Sequence, residues 1–134
     1  GLHQARIARS GEEVTLICYG PMVDTCLEAA KEASQEGRKL EVIDVRSLSP
    51  LDMATVYESV RRTTRAIVVQ EAPRTQGVGA EIAARLGEEL YYVMEAPVLR
   101  VTGWSTPYPP AKAEGEHIPD VDRILDAVDR SLAF

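Results

Sequence analysis

Hydrophobic residues fall into two alternating patterns along this chain. Short runs rich in β-branched residues predict buried strands, and stretches with apolar residues three or four apart predict helices that bury one face. A more polar run from Ala5 to Ser10 predicts a further strand ahead of them. The buried strands are expected at 14–19, 40–45, 66–69 and 97–101, and the helices after Pro21, Ser49, Gly79 and Pro119.

Residues at the helix ends support these boundaries. Ser49 is the expected cap of the second helix and Asp120 that of the last, because their side-chain oxygens can accept a main-chain N–H that the helix leaves unpaired. Arg61 and Arg62 place positive charge in the last turn of the second helix, where the helix dipole favours it.

The lengths of the connections predict the topology. Residues 10–13 form so short a link that the first two strands should run antiparallel, as a hairpin at one edge of the sheet. Every later connection carries a helix, so the remaining strands should be parallel with right-handed crossovers. The residues therefore predict an α/β domain with a mostly parallel sheet.

Composition and charge narrow the class of partner. The 134 residues carry a formal net charge of −6, which disfavours nucleic acid and anionic membranes and suits a basic protein partner. No apolar run reaches the length of a membrane span, and there is no secretory signal. Because the chain begins at Gly1 without an initiator methionine, we expect it to be a piece of a longer protein.

The cysteines and histidines do not indicate a metal site. Cys18 lies in a predicted strand and Cys26 on the apolar side of a predicted helix, so two buried free thiols are expected. A disulfide between them is the alternative. His3 and His117 are far apart in sequence, and no paired-cysteine spacing is present.

Polar residues follow the ends of two predicted strands. A carboxylate at Glu71 is a candidate general acid or base, but capping the next helix or pairing with Arg74 is the favoured interpretation. Asp44 and Arg46 allow the same two interpretations, and a buried ion pair that holds the loops is favoured.

Two glycines open the helix that follows the third buried strand. Gly77 and Gly79 are compatible with phosphate binding, but Ile82 stands where the dinucleotide motif needs a small residue, and the lysine of a phosphate-binding loop is missing. Close packing of helix against strand is the favoured reason for them. In the long segment 103–117, Trp104 and Tyr108 are expected either to pack over the edge of the sheet or to form a subunit interface.

Five motifs stand out along the chain: TLICYG at 15–20, DVRSLSPLD at 44–52, EAPRTQGVGAEI at 71–82, EAPVLRVTG at 95–103 and IPD at 118–120. Together they resemble the carboxyl-terminal domain of the transketolase superfamily. More narrowly, they resemble the beta subunit of the thiamine-diphosphate-dependent dehydrogenase component of 2-oxo acid dehydrogenase complexes. The Glu71-Ala72-Pro73 motif is more similar to branched-chain members than to typical pyruvate members, whereas Gln70 stands where many relatives carry histidine.

The resemblance implies a fold and a division of labour. It implies one domain over residues 1–134, with three layers around a mostly parallel five-stranded sheet that has one antiparallel edge strand. In such enzymes thiamine diphosphate and magnesium bind between the alpha subunit and the amino-terminal domain of the beta subunit. We therefore expect this domain to be inactive alone, and we assign it no catalytic, cofactor-binding or metal-binding residue.

The implied role of the domain is assembly. The expected partners are an alpha subunit and a second beta subunit in a heterotetramer, and the basic subunit-binding domain of the dihydrolipoyl acyltransferase. Glu95 and the terminal carboxylate of Phe134 are the residues expected to meet that basic domain. The implied location is the bacterial cytoplasm or the mitochondrial matrix.

Two other functions remain open at this stage. One is a beta-subunit domain of a pyruvate or acetoin dehydrogenase, which differs in the acyl substrate. The other is a free-standing small-molecule binding module with a pocket lined by Gly20, Arg46 and Glu71. The strand-end candidates for such a module are Arg46, Gln70, Glu71 and Arg74.

Overall fold

A five-stranded sheet with helices on both faces organises the structure, a computed structural model that describes residues 3–73, 77–103 and 118–134. This is the predicted fold class. The strands are β1 (Arg6–Arg9), β2 (Val14–Cys18), β3 (Leu40–Asp44), β4 (Ala66–Pro73) and β5 (Leu99–Gly103), and the helices are α1 (Met22–Gln35), α2 (Met53–Thr63), α3 (Gly79–Glu89) and α4 (Val121–Leu132).

The strand order is β1-β3-β2-β4-β5, with β1 antiparallel to β3 and the other pairs parallel. The expected antiparallel edge strand is present, but the predicted hairpin is wrong because β1 pairs with β3 and not with β2. The link between β1 and β2 passes across the start of β3. There the main-chain N–H groups of Glu12 and Glu13 both donate to the Lys39 carbonyl, and a Cβ on Gly11 would come within 2.3 Å of the Leu40 carbonyl carbon.

Each sheet face has its own hydrophobic core. Leu16 and Val42 point to the face covered by α1 and α4, whereas the next residue of each strand, Ile17 and Ile43, points to the face covered by α2 and α3. Because both faces of the central strands are buried, their sequences are continuously apolar and do not alternate. Cys18 and Cys26 are buried free thiols of the first core, as predicted. The neighbouring Cys26 thiol and burial together raise the pKa of Cys18.

The strand predicted at 97–101 lies at Leu99–Gly103, and two further boundaries differ in ways that affect the candidate residues. Helix α2 begins at Met53 and is capped by Asp52, whose carboxylate accepts the N–H of Thr55 at 3.1 Å, so Ser49 is not its cap. The same carboxylate accepts the N–H of Ala5 at 2.9 Å, which ties the start of α2 to the residue before β1. By contrast, Asp120 caps α4 as predicted, accepting the N–H of Arg123 at 2.8 Å.

The second difference concerns β4, which continues through Pro73 because its end pairs with Gly103 of β5. Gln70 and Glu71 therefore belong to the strand and not to the loop where we expected them. Arg74 and the segment with Trp104, Tyr108 and His117 lie outside the described residues. Within the described ranges, no helix combines the length and the apolar character needed to cross a membrane.

Candidate docking surface

Arg65 lies in the tight turn between α2 and β4. Thr64 ends α2 in the left-handed conformation, with a φ of 63° and its N–H bonded to the Val60 carbonyl at 2.7 Å. The turn places the Arg65 side chain against two segments that are distant in sequence. Only 15% of that side chain is exposed.

The Arg65 guanidinium joins these segments through three acceptors. It donates to Glu95 Oε2 at 3.0 Å, to the Ser131 carbonyl at 3.0 Å and to the Phe134 main-chain oxygen at 3.3 Å. These residues are 30, 66 and 69 positions away along the chain. Arg65 therefore brings together Glu95 and Phe134, the two residues that the resemblance singled out.

Glu95 itself faces solvent, with 62% of its side chain exposed. Its N–H donates to the Thr64 carbonyl at 3.0 Å, and its Oε2 accepts the Thr64 hydroxyl at 2.5 Å. The Thr64 hydroxyl and the Arg65 charge both favour the ionised form and lower the pKa of Glu95. The surface thus presents an anionic carboxylate whose position is set by two neighbours.

A groove of about 950 Å³ adjoins this carboxylate, and apolar side chains line it together with Glu95 and Arg100. Tyr91 and Tyr92 are 71% and 97% exposed beside it, with ring centroids 5.1 Å apart in an edge-to-face arrangement, and Phe134 is 67% exposed. Exposed aromatic side chains next to a charged rim are typical of protein–protein interfaces. We call this region the docking surface: Tyr91, Tyr92, Met94, Glu95 and Phe134, with Gly87 also lining the groove.

The structure describes three of the four strand-end candidates, Arg46, Gln70 and Glu71, and their surroundings differ. Arg46 is exposed, and its main-chain N–H donates to Asp44 at 3.0 Å. The Asp44 side chain forms its ion pair with Arg6 at 3.9 Å, so the predicted pair with Arg46 is wrong. A φ of 65° at Arg46 turns the chain and brings its amide, not its guanidinium, to Asp44. Glu71 is exposed on β4, and the groove described above lies elsewhere.

Gln70 lies on β4, and its fully buried side chain contacts the start of α3. Its Oε1 accepts the Gly79 N–H at 2.7 Å, and its Nε2 donates to the Ala72 carbonyl at 3.3 Å. A Cβ on Gly79 would come within 2.4 Å of Gln70 Oε1, and one on Gly77 within 2.9 Å. The glycines therefore serve close packing, as favoured from the sequence, and the Gly79 N–H that a phosphate would need is occupied.

A second polar cluster, at the opposite end of the strands, was missed from the sequence. Glu41 is 1% exposed and accepts the Gly11 N–H at 3.2 Å, the Ser59 hydroxyl at 2.5 Å and the Arg62 guanidinium at 2.8 Å. Ser59 and Thr63 both bond to the buried Thr15 hydroxyl. The available signal was a glutamate inside an apolar strand run, since such a charge must be paired.

Residues 3–124 match the model of the transketolase C-terminal domain family. The chain belongs to this family. Its fold agrees with that assignment, because the beta chain of a split gene transketolase superimposes with a TM-score of 0.85 at 28% identity, covering 99% of this chain and 42% of that one. A 2-oxoglutarate:ferredoxin oxidoreductase from Magnetococcus marinus, with a TM-score of 0.60 at 14% identity over 96% of this chain and 19% of its own, shares the fold alone.

Curated relatives of this transketolase C-terminal domain are beta subunits of 2-oxo acid dehydrogenases. The pyruvate dehydrogenase E1 component subunit beta of Leifsonia xyli is 54% identical over 99% of the chain and 40% of its own length. The 3-methyl-2-oxobutanoate dehydrogenase subunit beta of Mycobacterium tuberculosis is 50% identical over 96% and 37%. The chain thus spans about two fifths of these relatives, and since they include both substrate classes, the branched-chain assignment stays a prediction.

Two features of the described residues bear on thiamine diphosphate and its magnesium ion. No three His, Cys, Asp or Glu side chains among them are grouped as metal ligands. The first turn of α3 offers no diphosphate cradle, because Gln70 occupies the Gly79 N–H and Glu81 adds negative charge there. We therefore derive no chemical step from this domain.

Proposed function

We propose that this chain is the C-terminal assembly domain of the beta subunit of a thiamine-diphosphate-dependent 2-oxo acid dehydrogenase, and that its docking surface binds the basic subunit-binding domain of the dihydrolipoyl acyltransferase. The observation that carries the proposal is the convergence of Glu95 and Phe134 on Arg65 beside a groove lined by exposed aromatic side chains. Anionic groups next to exposed aromatic rings suit a basic protein partner.

Several observations support assembly over catalysis. The relatives at 54% and 50% identity are both subunits of larger enzymes, and the superimposed split gene transketolase is an inactive beta4 tetramer. In our proposal the remaining parts of the enzyme, including an alpha subunit and a second beta subunit in a heterotetramer, hold the cofactor. The proposed location is the bacterial cytoplasm or the mitochondrial matrix.

The proposed substrate of the complete complex is a branched 2-oxo acid. The Glu71-Ala72-Pro73 motif and the 3-methyl-2-oxobutanoate relative support it, whereas the 54% identical relative supports pyruvate as the second candidate. Acetoin is the third. Rates of the assembled complex with 3-methyl-2-oxobutanoate, pyruvate and acetoin decide among them, and a clear preference for pyruvate would contradict the branched-chain assignment.

The docking proposal is tested by titrating the chain with the purified subunit-binding domain in a calorimeter. Glu95→Gln, and separately removal of residues 132–134, should each weaken binding about tenfold or more, because each removes part of the docking surface. Asp126→Asn is the matched control. It removes the same charge from an exposed ion pair with Arg130 on α4 and should change affinity by less than about twofold.

If Glu95→Gln and Asp126→Asn lower the affinity equally, only the overall charge of the chain matters for binding. The docking surface would then be wrongly placed. Calorimetry also tests the proposal that other parts of the enzyme hold the cofactor. Thiamine diphosphate and magnesium should give no one-to-one binding heat with this chain, and a saturable signal would overturn the assembly role.

A further inference from the structure

We propose that Arg65 is the positioning residue of the docking surface: it fixes the Glu95 carboxylate and the end of α4 in one arrangement, and binding of the basic partner depends on that arrangement. This inference rests on the proposed function. It concerns the mostly buried cation of Arg65, whereas the docking proposal concerns the exposed anionic groups of Glu95 and Phe134.

The geometry distinguishes Arg65 from an ordinary surface cation. Its guanidinium donates to three acceptors in two separate segments, Glu95 in one and Ser131 and Phe134 in the other, and the planar fork of five N–H groups makes this simultaneous contact feasible. A lysine ammonium at the same position keeps the charge but is a single point with a shorter reach. Charge and geometry can therefore be separated by one conservative substitution.

The sign of the electrostatic effect makes the inference testable. Arg65 adds a positive charge directly behind a surface that attracts a basic partner, so by Coulomb interaction alone its removal should strengthen binding. Loss of positioning has the opposite effect. Without Arg65, the Glu95 side chain and the end of α4 must be ordered when the partner binds, and that ordering costs free energy.

The contacts also specify which rate constant should change. Long-range charge acts mainly on association, whereas the fit of the bound surface acts mainly on dissociation. Oε2 of Glu95 is held by Thr64 and Arg65 on the protein side, and 62% of the side chain remains exposed to a partner. We expect Arg65 substitutions to accelerate dissociation and to leave association unchanged or faster.

The experiment measures association and dissociation of the purified subunit-binding domain with the chain and its variants Arg65→Lys, Arg65→Met and Glu95→Gln. Both Arg65 variants should bind about tenfold more weakly, through faster dissociation. The matched control is Arg61→Met, which removes an equal charge from an exposed pair with Glu89 at 3.6 Å. It should bind as well as the unmodified chain or slightly more tightly.

A double variant separates positioning from general support of the fold. If Arg65 acts through Glu95, Arg65→Met should weaken binding much less in the Glu95→Gln background than in the unmodified chain. If Arg65→Met weakens binding as much in the Glu95→Gln background as in the unmodified chain, Arg65 has only a structural role and the inference is overturned. Arg65→Lys keeps the test valid if Arg65→Met fails to fold.

The two proposals fail in different ways. If the unmodified chain does not bind the domain, or if Glu95→Gln binds equally well, the proposed docking function is wrong and this inference falls with it. If Glu95→Gln weakens binding while Arg65→Lys and Arg65→Met bind as tightly as the unmodified chain or more tightly, docking stands and the positioning role of Arg65 is wrong.

Discussion

Two glutamate–arginine pairs lie near each other at the end of the sheet where β2, β3 and β4 begin, and they are nearly inverse copies of each other. In one, Glu41 is 1% exposed and its partner Arg62 is 49% exposed. In the other, the Glu95 side chain is 62% exposed and its partner Arg65 only 15%. Each acid also accepts a hydroxyl donor from or next to α2, Ser59 in the first case and Thr64 in the second.

In our proposal, the inversion distinguishes a structural contact from a binding surface. Burying the acid uses its oxygens to satisfy internal donors, so Glu41 joins β3, α2 and the link after β1. Burying the arginine leaves an oriented carboxylate at the surface, available to a partner. The residue pair is the same, and the member that is buried decides what the pair does.

The largest expected effect on stability follows from Glu41→Leu. This substitution keeps the size of the side chain but leaves the Gly11 N–H and the Ser59 hydroxyl without their acceptor, and each unsatisfied buried donor costs about 1–3 kcal/mol. We expect the free energy of unfolding, measured by urea denaturation, to fall by about 3 kcal/mol. Glu95→Gln is the matched comparison and should shift the urea midpoint little. Equal shifts in the two variants would remove the contrast between the pairs.

A moderate effect on stability is expected at Gly79, whose N–H is accepted by the buried, uncharged side-chain amide of Gln70. Gly79→Ala would force a Cβ within 2.4 Å of Gln70 Oε1, which should cost about 1–3 kcal/mol of stability in urea denaturation. Gly87→Ala is its control on the same helix, because a Cβ there meets nothing within 4 Å. It should raise stability by up to about 1 kcal/mol through helix propensity. If both variants lose stability, the cause lies in replacing a glycine of α3 and not in the contact with Gln70.

The smallest expected effect is a shift in titration at Glu95. Its pKa lies below the ordinary 4.5, because the Thr64 hydroxyl and the Arg65 charge favour the carboxylate. A carboxyl whose pKa is lowered by folding stabilises the folded state above pH 4.5 and loses this contribution as the pH falls through the lowered value.

We therefore expect an NMR titration of the Glu95 carboxyl carbon to show a midpoint below 4.5, and Arg65→Met to raise it. Docking should accordingly persist at pH 5. An unchanged midpoint in the variant would show that Arg65 does not act on this carboxylate.

Local patterns predicted most of the fold and little of the surface. Apolar spacing identified the strands and helices because burial on both faces of a sheet marks the sequence continuously. It could not predict that β1 pairs with β3, since that depends on contacts of residues 11–13 with Lys39 and Glu41, about 30 positions away. The choice of Asp52 over Ser49 as a cap likewise depends on a tertiary bond, from Ala5.

The docking surface shows the same limit more strongly. Glu95 and Phe134 were selected through the family resemblance, and no periodic pattern connects them. Arg65 carried no signal at all, because its partners lie 30 to 69 residues away and an arginine before a strand is unremarkable in a sequence. Residues that join distant segments become recognisable only once the chain is folded.

The edge strand β1 has a consequence for how copies of this protein associate. It is four residues long, its register with β3 shifts between Ile7 and Arg9, and it carries arginines at both ends. A short, irregular, positively charged border is a poor template for strand addition, so neighbouring molecules held at high local concentration are protected on this side from fusing into fibrils.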